Sequence, residues 1–337
     1  MYIVRQMIHK AIRMDNWILM TGSILFIIMS TYLFYWLEPE TFKTPFNALW
    51  YVMTTVTTVG YGDYSPVTVP GQIYAMIVYI IGIGVIGVAI GKVVDGLASY
   101  KRKREEGRLR YKGKDHIVII GWSRKAEIAV QEILDTSTDI EIVIIDLMEK
   151  TPIQHERIFY IRGRATEKET LENAGLERAR SAIVFADESI DDQQLIDGKT
   201  LLISSTIEAY ASDIKTMVEI MDERHVGNFS YINVNEFILP SDMVSRLAVR
   251  ATFNNGISSI YNQLVRRGSG ENLYQIHPKP QWDTYKTAFD ELLRYGATLV
   301  ADGDDLTVNR QLEKPIAKNA QLYIICDEPT YQAVLDI

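Results

Sequence analysis

The chain has 337 residues, a formal net charge of −8, and 47% hydrophobic residues. That length suggests two or three domains, and the hydrophobic residues gather in the first hundred positions. One cysteine excludes an internal disulfide framework. The five histidines show no metal-ligand spacing. Residues 101–114 carry eight basic and two acidic side chains, so the rest of the soluble part is more acidic than the whole, which argues against nucleic acid as a partner. No cleavable signal sequence is apparent.

The first element in chain order is Trp17 to Leu37, a run free of charge and long enough to cross the ~30 Å of a bilayer core. Pro45 to Thr57 is apolar, helix-compatible and too short to span; Thr44 suits its cap and Pro45 its first turn. Ile73 to Val94 is a second spanning run, with Lys92 only at its end. Arg5, Lys10 and Arg13 precede the first run and the basic segment follows the second. Both termini are therefore expected in the cytoplasm of a multi-pass cell-membrane protein.

Between the short helix and the second span lies Thr57-Thr58-Val59-Gly60-Tyr61-Gly62-Asp63. Gly60 and Gly62 permit backbone angles that Cβ-bearing residues resist, and their alternation with Val59 and Tyr61 can turn successive carbonyls toward one axis. Irregular backbone at membrane depth is tolerated where it is buried in protein or lines a water-filled cavity. The loop resembles the selectivity filter of potassium channels, in which rings of carbonyls replace the hydration shell of K+. On that resemblance Thr58, Val59, Gly60, Tyr61 and Gly62 form the filter, K+ is the permeant ion, and a ring of filters requires a homotetramer. Trp50 and Tyr51 read equally as packing residues and as a cuff holding Tyr61. No arginine-rich helix is present, so steep voltage gating is not expected.

The second span contains Gly82, Gly84, Gly87 and Gly91. Two readings stand: close helix packing through the Gly87/Gly91 pair, and a bend at Gly82 or Gly84 that opens an inner gate.

After the basic segment, His116 to Ile120, a helical pattern to about Leu134, and Ile140 to Ile145 closed by Asp146 form a βαβ unit. Ile158–Ile161, Ser181–Phe185 and Lys215–Ile220 are further strands, and Pro240 to Thr252 an exit helix. The alternation implies a doubly wound parallel sheet. Gly121-x-Ser123-x-x-Ala126 is a weakened form of the dinucleotide fingerprint. Gly121 and Ser123 would let backbone N–H groups approach a phosphate, Arg124 would pair with it, and Asp146 would accept ribose hydroxyls. A smaller α+β lobe is expected from Leu273–Ile276, a helix over Tyr285–Tyr295, and strands at Thr298–Asp302, Leu306–Val308 and Gln321–Cys326.

Taken with Thr58 to Pro66, Gly82-Ile83-Gly84 and Ile119 to Ser123, this pattern resembles the prokaryotic two-transmembrane potassium channels with a cytoplasmic RCK (TrkA-N/TrkA-C type) domain, most of all the archaeal calcium-gated type. The implied fold is an α-helical membrane pore joined to an α/β Rossmann-like RCK domain and a small α+β lobe. The expected limits are 1–100 for the pore, 101–114 for the linker, 115–254 for the RCK N-terminal domain and 255–337 for the C-terminal lobe. The resemblance makes Gly82 the hinge position and implies an octameric gating ring, with or without additional soluble RCK copies. It gives Asp187 the first place of a Ca2+ site and Glu219 the second, while the third falls on Met221 beside Asp222; a thioether is a poor ligand for Ca2+. Relatives commonly carry Gly-Asp where this chain has Gly163-Arg164, a change that favours a phosphorylated ligand such as NAD or an adenine nucleotide. The leading expectation is a ligand-gated K+ channel and not an enzyme. The alternatives are a membrane-anchored regulatory subunit of a K+ transporter and a tethered oxidoreductase; the complete filter loop opposes the first, and the absence of a catalytic constellation the second.

Overall fold

A computed structural model describes residues 16–266 and 270–336. The chain divides between Lys103 and Arg104 into two units.

In the first unit, α1 (Asn16–Leu37) and α3 (Val69–Glu105) are long and apolar enough to cross a membrane. Between them lies the short helix α2 (Pro45–Val56), with Pro45 in its first turn and Thr44 Oγ1 accepting from the Asn47 N–H at 3.3 Å. An aromatic cluster joins the three helices: Phe34 of α1 meets Tyr51 of α2 edge-on at 5.0 Å and Tyr74 of α3 at 4.9 Å. Such pairs add stability beyond the area they bury. The helix α3 is longer than the run of apolar residues at both ends. Pro70 suits its first turn, and Lys101 to Glu105 are all good helix formers. The expected linker at 101–114 thus begins as continued helix to Glu105.

The second unit opens on a six-stranded, all-parallel sheet in the order β3-β2-β1-β4-β5-β6. Its strands are β1 (Ile117–Ile120), β2 (Ile142–Asp146), β3 (Ile158–Arg162), β4 (Ser181–Val184), β5 (Lys215–Glu219) and β6 (Glu236–Ile238). The run Ile142 to Ile145 is buried throughout, as both faces of such a sheet are covered. Alternation sends Val118, Ile120, Val143 and Ile145 to one core and Ile119, Ile142, Ile144 and Tyr160 to the other. The helices α4 (Arg124–Thr136), α5 (Lys168–Asn173) and α6 (Gln193–Tyr210) alternate with the strands. The chain enters this unit along β3: Arg162 N–H donates to Gly107 O at 3.0 Å, and Thr151 N–H to Glu105 O at 2.7 Å.

The exit helix α7 (Pro240–Phe253) is followed by α8 (Ile257–Val265), a helix the sequence did not announce, and neither buries a residue in this chain. The final lobe is an antiparallel sheet β7-β9-β8 built from β7 (Asn272–Ile276), β8 (Thr298–Asp302) and β9 (Leu322–Cys326). Two helices, α9 (Tyr285–Arg294) and α10 (Glu328–Leu335), accompany it. The expected strand at Leu306–Val308 is not one. Asp305 Oδ1 accepts from the Thr307 N–H at 2.7 Å and folds the segment into a turn that leads to a short 3-10 helix at Val308–Arg310. Cys326 is fully buried in β9, and burial pushes its thiol up to about 11.

Candidate functional sites

The loop after α2 combines two local devices. The helix ends with Thr57, whose N–H donates to Met53 O, and the Val59 and Gly60 N–H groups fold back to Thr54 O at 2.8 and 3.1 Å. Positive φ then falls on every second residue: Thr58 (62°), Gly60 (57°) and Gly62 (75°). This is the alternation expected of a chain that faces its carbonyls one way. The position that sequence did not mark is Thr58, where a β-branched residue holds a left-handed conformation at a cost of about 1–3 kcal/mol. Such strain persists only when the surroundings over-determine it, and hydrogen bonds on either side of Thr58 do so.

Of the two residues read as a cuff, only Trp50 touches Tyr61 in this chain. Its ring stacks on Tyr61 at 5.8 Å and 5°, and its Nε1 donates to Asp63 Oδ2 at 2.7 Å. Tyr51 turns the other way and meets the Tyr79 hydroxyl at 2.9 Å. A further brace carries no local sequence signal: Glu38, 2% exposed just beyond α1, accepts from the Thr68 N–H at 2.8 Å and the Thr68 hydroxyl at 2.6 Å. Gly71 makes room for it, since a Cβ there would lie 2.2 Å from Glu38 Oε1.

The two expected hinge glycines differ. Gly82 is buried, and a Cβ on it would come within 2.8 Å of Val56 Cγ2 at the end of α2. Gly84, like Gly87 and Gly91, has open space around the corresponding position. Gly82 is therefore a seat for the short helix, and α3 runs unbroken through all four glycines.

In the second unit, a cleft of about 360 Å³ opens at the carboxyl ends of the strands, beside the β1/β4 point where strand order reverses. That is where open α/β sheets bind ligands. Gly121, Asp146, Arg164 and Asp187 all line it, together with Thr166 and Lys199, which the sequence had not suggested. Gly121 has φ +87°, which favours glycine, and a Cβ there would press on Phe185 O at 3.2 Å. Asp146 accepts from the N–H groups of Trp122 (2.8 Å), Leu147 (2.6 Å) and Met148 (3.3 Å). A carboxylate has about four lone-pair sites, so capacity for one more donor remains. Ser123 and Arg124 do not line the cleft. Ser123 caps α4 through the Ala126 N–H, and the exposed Arg124 pairs with Glu127 at 2.5 Å.

The three carboxylates carried over as a Ca2+ set do not form one. Asp187 pairs with Lys199, Glu219 with Lys125, and Asp222 with Arg224 at 2.5 Å. Among the described residues no group of three His, Cys, Asp or Glu side chains is placed to hold a metal ion. This donor set, each member already neutralised by a base, does not fit a divalent cation that wants six to eight oxygens.

Burial alone would raise the Asp187 carboxyl, but the Lys199 ammonium with the Ser189 hydroxyl and N–H outweighs it and holds the group at about 2. A folded value depressed below the ordinary 3.8 contributes stability above that pH and loses it as the pH falls through the folded value. The pair's contribution should disappear between pH 3.8 and about 2. Acid unfolding followed by circular dichroism should show a component in that window that Lys199→Met removes.

Residues 22–98 match the ion channel family and residues 117–240 the TrkA-N domain. The chain is 28% identical over 293 residues to the putative potassium channel protein YugO of Bacillus subtilis, covering 84% of each chain. It is also 28% identical over 221 residues to the calcium-gated potassium channel TvoK of Thermoplasma volcanium, covering 64% of this chain and 62% of that one. Among solved structures, the GsuK channel aligns with a TM-score of 0.51 at 15% identity, over 94% of this chain and 58% of that one. The human SLO3 gating ring aligns with a TM-score of 0.50 at 14% identity, over 64% of this chain and 45% of that one. The chain thus spans about half the length of these two solved chains, and at such identities they show the fold alone. The chain thus joins an ion-channel module to a TrkA-N domain. It is homologous to potassium channels.

Proposed function

We propose that this chain is the subunit of a K+-selective channel, assembled as a homotetramer in the cell membrane with both termini cytoplasmic, and gated by a ligand of the nucleotide class in the TrkA-N cleft. The observation that carries the pore assignment is the positive φ at Thr58, Gly60 and Gly62, on a loop that follows a capped half-helix between two spans. In a tetramer the four loops would supply the carbonyl rings that substitute for the water around K+. Val59 is 54% and Tyr61 68% exposed in the single chain, which is the state of side chains whose neighbours come from other subunits. A bend in α3 near Gly84 would open the inner mouth. Reconstituted vesicles loaded with K+ test the assignment: flux of K+ well above that of Na+ is expected, and equal or absent flux of both under every effector would refute it.

The nucleotide reading is supported by the place of the cleft, the glycine turn, the spare acceptor on Asp146 and the exposed Arg164 on its wall. Among the described residues the Arg164 guanidinium has one long ion pair, 3.8 Å to Glu167, and could turn to a phosphate. Occupancy would shift the equilibrium between closed and open assemblies only through different affinities for the two. Adding ADP, ATP or NAD to the vesicles should change K+ flux. Arg164→Ala should raise the half-maximal concentration roughly tenfold, as expected for loss of one charged hydrogen bond. A response unchanged in that variant removes Arg164 from the site.

A further inference from the structure

The carboxylates expected to gather a divalent cation are instead organised around a cation that belongs to the chain. Glu219 ends β5 and is 1% exposed. A charge buried that deeply must be paired, and both its oxygens are: Oε1 by the Lys125 ammonium, Oε2 by the Ala186 N–H at 2.9 Å. Lys125 stands in the first turn of α4, 94 residues away in sequence, and its ammonium also reaches Glu188 Oε1 at 3.2 Å. One nitrogen therefore ties together α4, the end of β5 and the loop after β4. Beside it, a second lysine, Lys199 of α6, holds Asp187. To bind between Glu219 and Glu188, Ca2+ would have to displace the Lys125 ammonium.

We propose that Lys125 is a tethered cation standing in the place of a divalent ion, so that the strand ends which a metal would draw together on binding are joined at all times. The consequence is a regulatory domain indifferent to Ca2+ at this position and made responsive to it by removing the lysine. An ammonium on a flexible stem is a compact point charge with three donors, suited to bridging carboxylates from separate elements. Its position among three segments is that of a crosslink, which an exposed surface pair is not. This inference does not rest on the nucleotide reading or on conduction, and its test reads neither.

The experiment uses the full-length protein in detergent micelles, with CaCl2 as the probe. Calorimetric titration of the wild type should show no saturable uptake that Glu219→Gln abolishes, and the thermal unfolding midpoint should be the same in EDTA and in CaCl2. Lys125→Met should unfold several degrees earlier in EDTA, because Glu219 is then left buried with one donor, and CaCl2 should raise its midpoint. Lys125→Arg, which keeps the charge, should behave as the wild type in its indifference to CaCl2. Uptake by the wild type that Glu219→Gln removes would overturn the proposal, as would a Lys125→Met protein whose stability ignores CaCl2. Should Lys125→Met fail to fold, the comparison of wild type with Glu219→Gln decides the matter in either direction.

Discussion

Gly60→Ala is expected to abolish K+ conduction while leaving the assembled protein intact. The space around Gly60 is open, so steric crowding within the chain is not the reason. The reason is φ, which is +57° there. An L-residue with a Cβ in the left-handed region costs about 1–2 kcal/mol, and the proposed tetramer would carry the substitution four times. The sum, roughly 4–8 kcal/mol, would be relieved by rotating the peptide and turning its carbonyl off the axis. Conduction through a row of carbonyl rings depends on every ring, so flux in vesicles should fall by at least ~100-fold. Size-exclusion elution and thermal unfolding should match the wild type, because the loop contributes little to the core of the first unit. Retained K+ selectivity and flux in Gly60→Ala would show that the loop is not the conducting filter. Thr58 already holds φ +62°, and it is fixed by the neighbouring hydrogen bonds to Thr54 and Thr55; an alanine at Gly60 would add a second strained position two residues on.

The largest loss of stability is expected from Gly107→Ala. Gly107 lies two residues beyond α3, with φ +66°. A Cβ there would be 2.4 Å from the Arg162 backbone nitrogen and 2.8 Å from Tyr160 Cδ1. The first is main chain of a sheet strand and cannot swing aside, and its N–H already donates to Gly107 O. Backbone strain and overpacking together should cost about 3 kcal/mol or more. Thermal unfolding of the full-length protein is the measurement. Gly227→Ala provides the control, since that glycine has no positive φ and nothing within 4 Å of the added carbon; it should unfold near the wild-type temperature. A Gly107→Ala protein as stable as the control would mean that the segment after α3 does not dock on β3 as described.

Much of the architecture could be read in the sequence, because it is written in local patterns. Two apolar runs, a capped short helix and a glycine loop need no partner to be recognised, and Ile142 to Ile145 declares a buried parallel strand by composition alone. Three classes of feature could not be read in this way. Element ends depend on which competing preference wins: α3 continues past its apolar run into the basic segment because Lys, Arg and Glu are good helix formers. Leu306–Val308 has strand-like composition, but the Asp305 side chain folds it into a turn. Partners distant in sequence are invisible one at a time. Nothing near Glu219 suggests Lys125, and nothing near Glu38 suggests Thr68. The cleft shows the same division. Gly121 and Asp146 were legible from the fingerprint, whereas Ser123 and Arg124 fit the pattern but are spent on a helix cap and an i,i+3 pair.

The burial of Cys326 has a practical consequence. It is the chain's single thiol, and at neutral pH it is both sealed within β9 and protonated. Toward maleimides and methanethiosulfonates the native protein should therefore behave as though it had no cysteine. A thiol introduced at Gly91, where there is room for one, would be the sole reactive group. Its modification rate, with and without effector, would report whether the exposure of this part of α3 to water changes.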